Sequence, residues 1–184
     1  MTKALFLDRD GVINVDKNYV YKREDFEFCE SIFALCEFFA KKGFKIVVIT
    51  NQSGIARGFY SEADFEKITE FMRAEFAKKG IKIDRVYHCP HLQNCQCRKP
   101  KPGMLLKARD ELGINLEQSF FIGDNFTDMS AGINAGVKGL FLVGKHALNL
   151  LEKKEFNEDF EKGKFRTFSN LNELLKAVEN EKFK

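Results

Sequence analysis

Lys3-Ala4-Leu5-Phe6-Leu7-Asp8-Arg9-Asp10-Gly11 begins as a short apolar run and turns acidic within one residue. A run of that length, stopped by carboxylates and a glycine, reads as a buried strand with Asp8 at its C-terminal tip. Gly11 lets the backbone turn sharply away. The same pattern recurs at Ser119 to Ile122, a strand that ends in Gly123-Asp124, and the β-branched strand Lys45 to Ile49 ends at Thr50.

Helical spacing fills the intervals. Ile32, Leu35, Cys36 and Phe39 recur on one face from Ser31 to Lys42, and Lys41, Lys42 and Gly43 close the run. Ser61 with Asp64 three residues on predicts a capped helix reaching Lys79. Arg85 to His88 gives a strand leading into a Cys-rich loop, and Pro102-Gly103 precede a helix through Leu112. A helix from Thr127 to Ala135, a strand from Gly139 to Val143 and a last helix from Leu171 to Val178 follow, with a charged stretch, Glu152 to Lys164, before the last. This alternation predicts an α/β, Rossmann-like doubly wound architecture, a mostly parallel sheet with helices on both faces. Ligands of such sheets gather at the carboxyl ends of the strands.

The 184 residues suit a single domain, 1–184, and 44% apolar with 31% charged residues suits a globular one. There are twenty Phe and no Trp; Phe65, Phe71 and Phe76 recur at helical spacing and read as core. A net charge of +3, mixed along the chain, offers no basic stripe for nucleic acid. No run approaches the ~18 apolar residues of a membrane span, and no signal-peptide pattern opens the chain, so a cytoplasmic location is expected. No heptad or apolar stripe asks for a second copy, so a monomer is expected. Five Cys, three of them bunched near one His, point to reduced thiols with a metal rather than to disulfides.

Three strand tips offer groups to one place: Asp8 and Asp10, Thr50, and Asp124 with Asp128. Carboxylates clustered there require a cation or some must protonate, and oxygen ligands with room for water and phosphate suit Mg2+. In this reading Asp8 attacks phosphorus in line to give an aspartyl-phosphate, and Asp10 serves as general acid and base. Thr50 and a lysine hold the phosphoryl group. A lone Asp-x-Asp is common in surface turns; the three tips together are not.

These residues resemble the haloacid dehalogenase superfamily from about Leu5 to Val143, through Leu7-Asp8-Arg9-Asp10-Gly11, Thr50-Asn51-Gln52-Ser53, Arg98-Lys99-Pro100 and Gly123-Asp124 with Asp128. The resemblance implies Asp8 as nucleophile, Asp10 as acid/base and Thr50 with Lys99 as phosphoryl binders, Lys101 being the rival to Lys99. It also implies magnesium held by Asp8, Asp124 and the backbone carbonyl of Asp10.

Cys89-Pro90-His91 followed by Cys95-Gln96-Cys97 supplies three thiols and an imidazole within the loop 89–97, a closed tetrahedral set for a structural Zn2+. Cys29 and Cys36 read as core, and His88 and His146 have no evident partners. This loop resembles the subgroup of small phosphatases, without a large cap domain, that act on histidinol phosphate or on heptose bisphosphates. Asn14 to Tyr19 and Thr50 to Gly58 look like the heptose branch. The resemblance then implies a small phosphorylated sugar as substrate, contacted by Asp16 to Tyr19, Thr50, Asn51, Gln52, Ser53, Arg98, Lys99 and Asn125. Two features depart from that branch: a short gap between His91 and Cys95, and Asn125 where its pattern carries a lysine. Plain loop roles for Asp16 and Tyr19, and solvation for Arg57, are the alternatives. A zinc-stabilised binding module without catalysis is the alternative to an enzyme.

Overall fold

The computed structural model describes residues 2–144 and 163–180. Among these residues six strands form one all-parallel sheet: β1 Ala4–Leu7, β2 Lys45–Asn51, β3 Ile83–Cys89, β4 Phe120–Gly123, β5 Gly139–Val143 and β6 Arg166–Phe168. Their order across the sheet is β3-β2-β1-β4-β5-β6, so β1 lies inside and the order reverses between β1 and β4. That reversal opens a crevice beyond the strand tips.

Among the described residues, five helices cover the sheet: α1 Ile32–Lys41, α2 Glu62–Lys78, α3 Gly103–Leu112, α4 Phe126–Ala135 and α5 Leu171–Asn180. Alternation along β1 divides the core. Leu5 and Leu7 pack with Leu35 and Phe39 of α1, Met72 and Phe76 of α2 and Leu174 of α5, while Ala4 and Phe6 join Leu105 of α3 and Met129 of α4. Both faces of β1 are fully buried, which explains a continuous apolar run in place of an alternating one. Phe65 and Phe76 are buried and Phe71 packs half-buried against the same cluster, so these phenylalanines are core side chains.

The boundaries follow local chemistry. Ser61 Oγ accepts from the Asp64 N–H at 3.1 Å while the Asp64 carboxylate accepts from the Ser61 N–H at 3.0 Å, the reciprocal cap expected there. Such caps are each worth about 1 kcal/mol. The strand expected at Arg85 to His88 runs longer, from Ile83 to Cys89, because its whole length pairs with β2. β6 was not expected: Arg166-Thr167-Phe168 has no apolar run, and its pairing with β5 makes it a strand. No large cap domain interrupts the described residues between β2 and Lys99. The charged stretch Glu152 to Lys164 falls for most of its length outside the described residues, as does His146.

Candidate active site

Asp8 leaves the tip of β1 with its N–H still bonded to the Ile122 carbonyl of β4, at 3.0 Å, so the sheet itself fixes its position. Gly11 turns the chain at φ +83°, and a Cβ there would lie 2.0 Å from Asp124 Oδ2; only glycine lets the turn approach the second aspartate so closely. Carboxylate oxygens of Asp8, Asp124 and Asp128 lie within 4.8 Å of one another.

Lys99 reaches this cluster from the loop after β3. Its Nζ lies 2.9 Å from Asp8 Oδ2 and 2.6 Å from Asp128 Oδ1, and donates to the Ile49 carbonyl at 2.8 Å. Burial works against the ammonium, but Asp128 and Asp8 outweigh it and the net displacement is upward. Lys101 instead donates to the Cys95 carbonyl, in an exposed contact. Asp128 is fully buried and its other oxygen accepts from the Asn125 N–H at 3.0 Å, so it anchors the lysine and the start of α4 together.

Burial, opposed by Lys99 and reinforced by Asp128 and Asp10, pushes the Asp8 carboxyl up to about 7. Burial and then the neighbouring Asp8 push Asp124 up to about 8. Two carboxyls that resist ionisation this strongly even with the Lys99 ammonium beside them, and that offer oxygen ligands, suit a hard divalent cation, which reverses both effects.

Asp10 points toward other neighbours. Its oxygens accept from Arg9 Nη2 at 2.8 and 2.9 Å, from Asn14 Nδ2 at 3.0 Å and from Gln52 Nε2 at 2.9 Å. Arg9, 1% exposed, is itself tied to the Val20 carbonyl at 2.7 Å. Beside Asp10 opens a cavity of about 170 Å³ lined by Asp16, Asn18, Tyr19, Gln52, Ser53 and Tyr60, among others. Asp16 there accepts from the Asn18 N–H at 2.8 Å, and exposed Tyr19 meets the Phe59 ring edge-on at 4.7 Å.

The remaining expected contacts have structural partners. The Asn51 amide brackets Lys99, donating to its carbonyl at 3.2 Å and accepting from its N–H at 3.1 Å. Asn125 Oδ1 caps α4 by accepting from the Thr127 N–H at 3.2 Å. Arg98 donates to the His91 carbonyl at 3.2 Å. Thr50 Oγ1 accepts from Gln52 Nε2 at 2.8 Å.

A family model described as HAD-hydrolase-like matches residues 96–163. The chain is 58% identical to a D-glycero-alpha-D-manno-heptose-1,7-bisphosphate 7-phosphatase of Campylobacter jejuni, covering 95% of this chain and 94% of that one. It is 46% identical to the D-glycero-beta-D-manno-heptose-1,7-bisphosphate 7-phosphatase of Escherichia coli K12, over 77% of this chain and 80% of that one. The chain belongs to the haloacid dehalogenase-like hydrolase family. It is a phosphatase of that family, a phosphoric monoester hydrolase, which sets aside the non-catalytic binding module. Among solved structures, the D,D-heptose 1,7-bisphosphate phosphatase of B. bronchiseptica, complexed with magnesium and phosphate, superposes with a TM-score of 0.79 at 26% identity. The match covers 96% of this chain and 98% of that one.

In this haloacid dehalogenase-like phosphatase the Cys/His loop gathers as a second cluster. Cys89 Sγ lies 3.6 Å from His91 Nδ1, 3.6 Å from Cys95 Sγ and 3.0 Å from Cys97 Sγ, and His91 Nδ1 lies 3.3 Å from Cys97 Sγ. Tetrahedral zinc with thiolate bonds of about 2.3 Å needs ligand separations of about 3.5–3.8 Å; the two contacts at 3.6 Å meet that and the two that Cys97 makes are shorter, while three thiols and an imidazole gathered in one place are the donor set that ion takes. All three cysteines are free, too far apart for disulfide bonds. Burial drives the Cys89 thiol up to about 12; at Cys95 the Arg98 N–H and neighbouring thiols outweigh burial and hold it down at about 6. Cys36 is core and Cys29 packs against it, as expected.

His88 corrects an expectation. It has partners, Glu62 Oε2 at 2.8 Å and the Phe65 ring at a centroid distance of 4.3 Å, both supplied by α2 across the sheet edge. Three residues around Asp10 had no role assigned from sequence: Arg9 and Asn14, which lie within the stretches that carry the resemblance, and Tyr60, which lies outside them. Arg9 could have been noticed as a cation set between two acids at a buried strand tip; nothing local showed that Asn14 and Tyr60 would serve Asp10.

Proposed function

We propose that this phosphatase removes the C7 phosphate from D-glycero-D-manno-heptose 1,7-bisphosphate, in the biosynthesis of nucleotide-activated heptose for surface polysaccharide. The observation that carries the reading is the identity of 46–58% to relatives bearing that activity in their names, across most of the chain, with Asp8, Lys99 and Asp124 converging at one crevice.

In this reading Asp8 attacks the C7 phosphorus and forms an aspartyl-phosphate. Lys99, fixed between Asp8 and Asp128, neutralises the phosphoryl oxygens, and the Thr50 hydroxyl donates to one of them. Asp10 protonates the departing sugar oxygen, then takes a proton from the water that opens the acyl phosphate. Asp8, Asp124 and the Asp10 backbone carbonyl would hold Mg2+, which supplies positive charge to the phosphoryl oxygens; the neighbour solved with magnesium and phosphate supports that choice. Asp16 to Tyr19, Asn51, Ser53, Arg98 and Asn125 bind the sugar bisphosphate, Arg98 through the forked geometry that suits phosphate, while Gln52, its amide taken up by Asp10, Thr50 and Tyr60, braces the site behind them. Cys89, His91, Cys95 and Cys97 would hold Zn2+, which would brace the wall that carries Arg98 and Lys99. The enzyme works as one domain, 1–184, and as a monomer in the cytoplasm.

The test is phosphate release, with magnesium, from both anomers of the heptose bisphosphate and from histidinol phosphate, beside an Asp8→Asn control. Turnover of a heptose bisphosphate that the substitution abolishes is expected. Preference for histidinol phosphate defeats the substrate assignment, and activity surviving the substitution defeats the nucleophile.

A further inference from the structure

Asp10 and Thr50 share one neighbour. Gln52, 1% exposed, donates from Nε2 to Asp10 Oδ2 at 2.9 Å and to Thr50 Oγ1 at 2.8 Å. A carboxylate only accepts, so the amide must turn its NH2 toward Asp10. Its Oε1 then faces Tyr60, whose hydroxyl donates to it at 2.5 Å.

Tyr60 is built into this place. It is buried, its ring stacks on Tyr21 at a centroid distance of 5.1 Å, and a side chain at Gly54 would meet the ring at 2.2 Å. Burial pushes its phenol up to about 12, so the hydroxyl keeps the proton it donates. With both amide hydrogens committed, Gln52 does not draw on the Thr50 hydroxyl hydrogen, which is left for a ligand oxygen. Tyr60 touches neither Asp10 nor Thr50 by any hydrogen bond; its effect passes through the amide.

We propose that Tyr60 is a positioning residue of the reaction: by holding Gln52 Oε1, its hydroxyl anchors the far end of the amide whose NH2 meets Asp10 and Thr50, and so keeps the general acid aimed at the leaving-group oxygen. The inference rests on Asp10 being that acid. Without the hydroxyl Gln52 Oε1 loses its anchor and the amide can swing, so that Nε2 no longer holds the Asp10 carboxylate in place and no longer fixes the Thr50 hydroxyl. The first effect misplaces the acid; the second weakens the grip on phosphate.

The two effects separate by leaving group. A general acid matters most when the departing oxygen is basic, whereas phosphoryl binding matters alike for every ester. The experiment measures kcat/KM for Tyr60→Phe and the parent enzyme across para-substituted aryl phosphates of similar size. This parameter covers the steps up to departure of the alcohol. The variant keeps the ring and its stacking. Both ends of the series should fall, with phenyl phosphate losing about tenfold more than 4-nitrophenyl phosphate. An equal loss across the series, or none, overturns the proposal.

Two further arms keep the causes distinct. Asp10→Asn must steepen the same dependence; if it does not, the acid assignment fails and the inference fails with it. If Asp10→Asn steepens it and Tyr60→Phe does not, only the role of Tyr60 falls. Finally, Gln52→Leu and the Gln52→Leu/Tyr60→Phe double variant should share one dependence, as expected when one residue acts through the other. A double variant whose losses multiply overturns the route through Gln52.

Discussion

The acidic cluster at the strand tips and the Cys/His loop are both ready for a metal, yet they are held in opposite ways. Asp8 comes from the tip of β1, Asp124 and Asp128 from the passage out of β4 into the first turn of α4, and Lys99 from the loop after β3, so three separate segments meet and the sheet sets their distances. The Cys/His set lies within nine consecutive residues, and His91 is exposed. Burial taxes the first cluster electrostatically, as the raised Asp8 and Asp124 carboxyls show, whereas the second has little sheet or helix to keep its shape. The first site should therefore tolerate loss of its ion and keep its geometry; the second should owe its geometry to its ion.

The largest expected effect separates function from scaffold. Asp8→Asn should lower phosphate release by at least about 10⁴-fold, in line with loss of a nucleophile elsewhere. Zinc content, measured by atomic absorption, should stay at the parental level. Cys97→Ser should do the reverse: zinc is lost, and phosphate release falls by about 10- to 100-fold, because Arg98 and Lys99 follow Cys97 directly and lose their support. Retained zinc and full activity in that variant would show that the loop holds its shape without four ligands.

How much of this was readable in the chain differs between the same two regions. The Cys/His set could be read from spacing alone, since its members are neighbours in sequence. The acidic cluster could be read because each member follows an apolar run, so the strand tips advertise themselves; Asp8, Thr50 and Asp124 need only the rule that parallel strands end on one side. Arg9 was legible as a cation between two acids, but the parts Asn14 and Tyr60 play around Asp10 were not, because they arise from where loops fold back after the strands have ended. β6 was missed for a related reason: three residues with no apolar run become a strand only when β5 is beside them. His88 likewise gains Glu62 and Phe65 from a helix that lies some 25 residues earlier in the chain.

A subtler effect tests the electrostatic half of the comparison. Carboxyls raised to about 7 and about 8 in the folded state bind their protons more tightly than in the unfolded chain, where they ionise near 4. Protonation therefore supports the magnesium-free fold, fully below pH ~4, and that support drains away as pH rises through the folded values. In magnesium-free buffer with zinc retained, the melting temperature should fall between pH 5.5 and 8.5. Saturating magnesium should flatten the fall, because the ion takes the protons' place. A magnesium-free curve that rises over this window would mean that Lys99 already neutralises the cluster.

The smallest expected effect concerns Asn125, where the acidic cluster touches a helix end. Its Oδ1 is committed to the cap of α4, and that cap steadies Asp128, which in turn holds Lys99. The Nδ2 side of the same amide is the part that can serve a substrate oxygen. Two substitutions divide these duties. Asn125→Ala removes both and should cost about 1 kcal/mol of stability, whereas Asn125→Ser keeps a capping oxygen and should cost only a few tenths. If Nδ2 serves the sugar bisphosphate, KM rises about two- to threefold in both variants, the size expected for one neutral hydrogen bond at a solvated rim. A KM that rises in Asn125→Ala alone would make Asn125 a structural residue whose influence on the substrate runs entirely through Asp128 and Lys99.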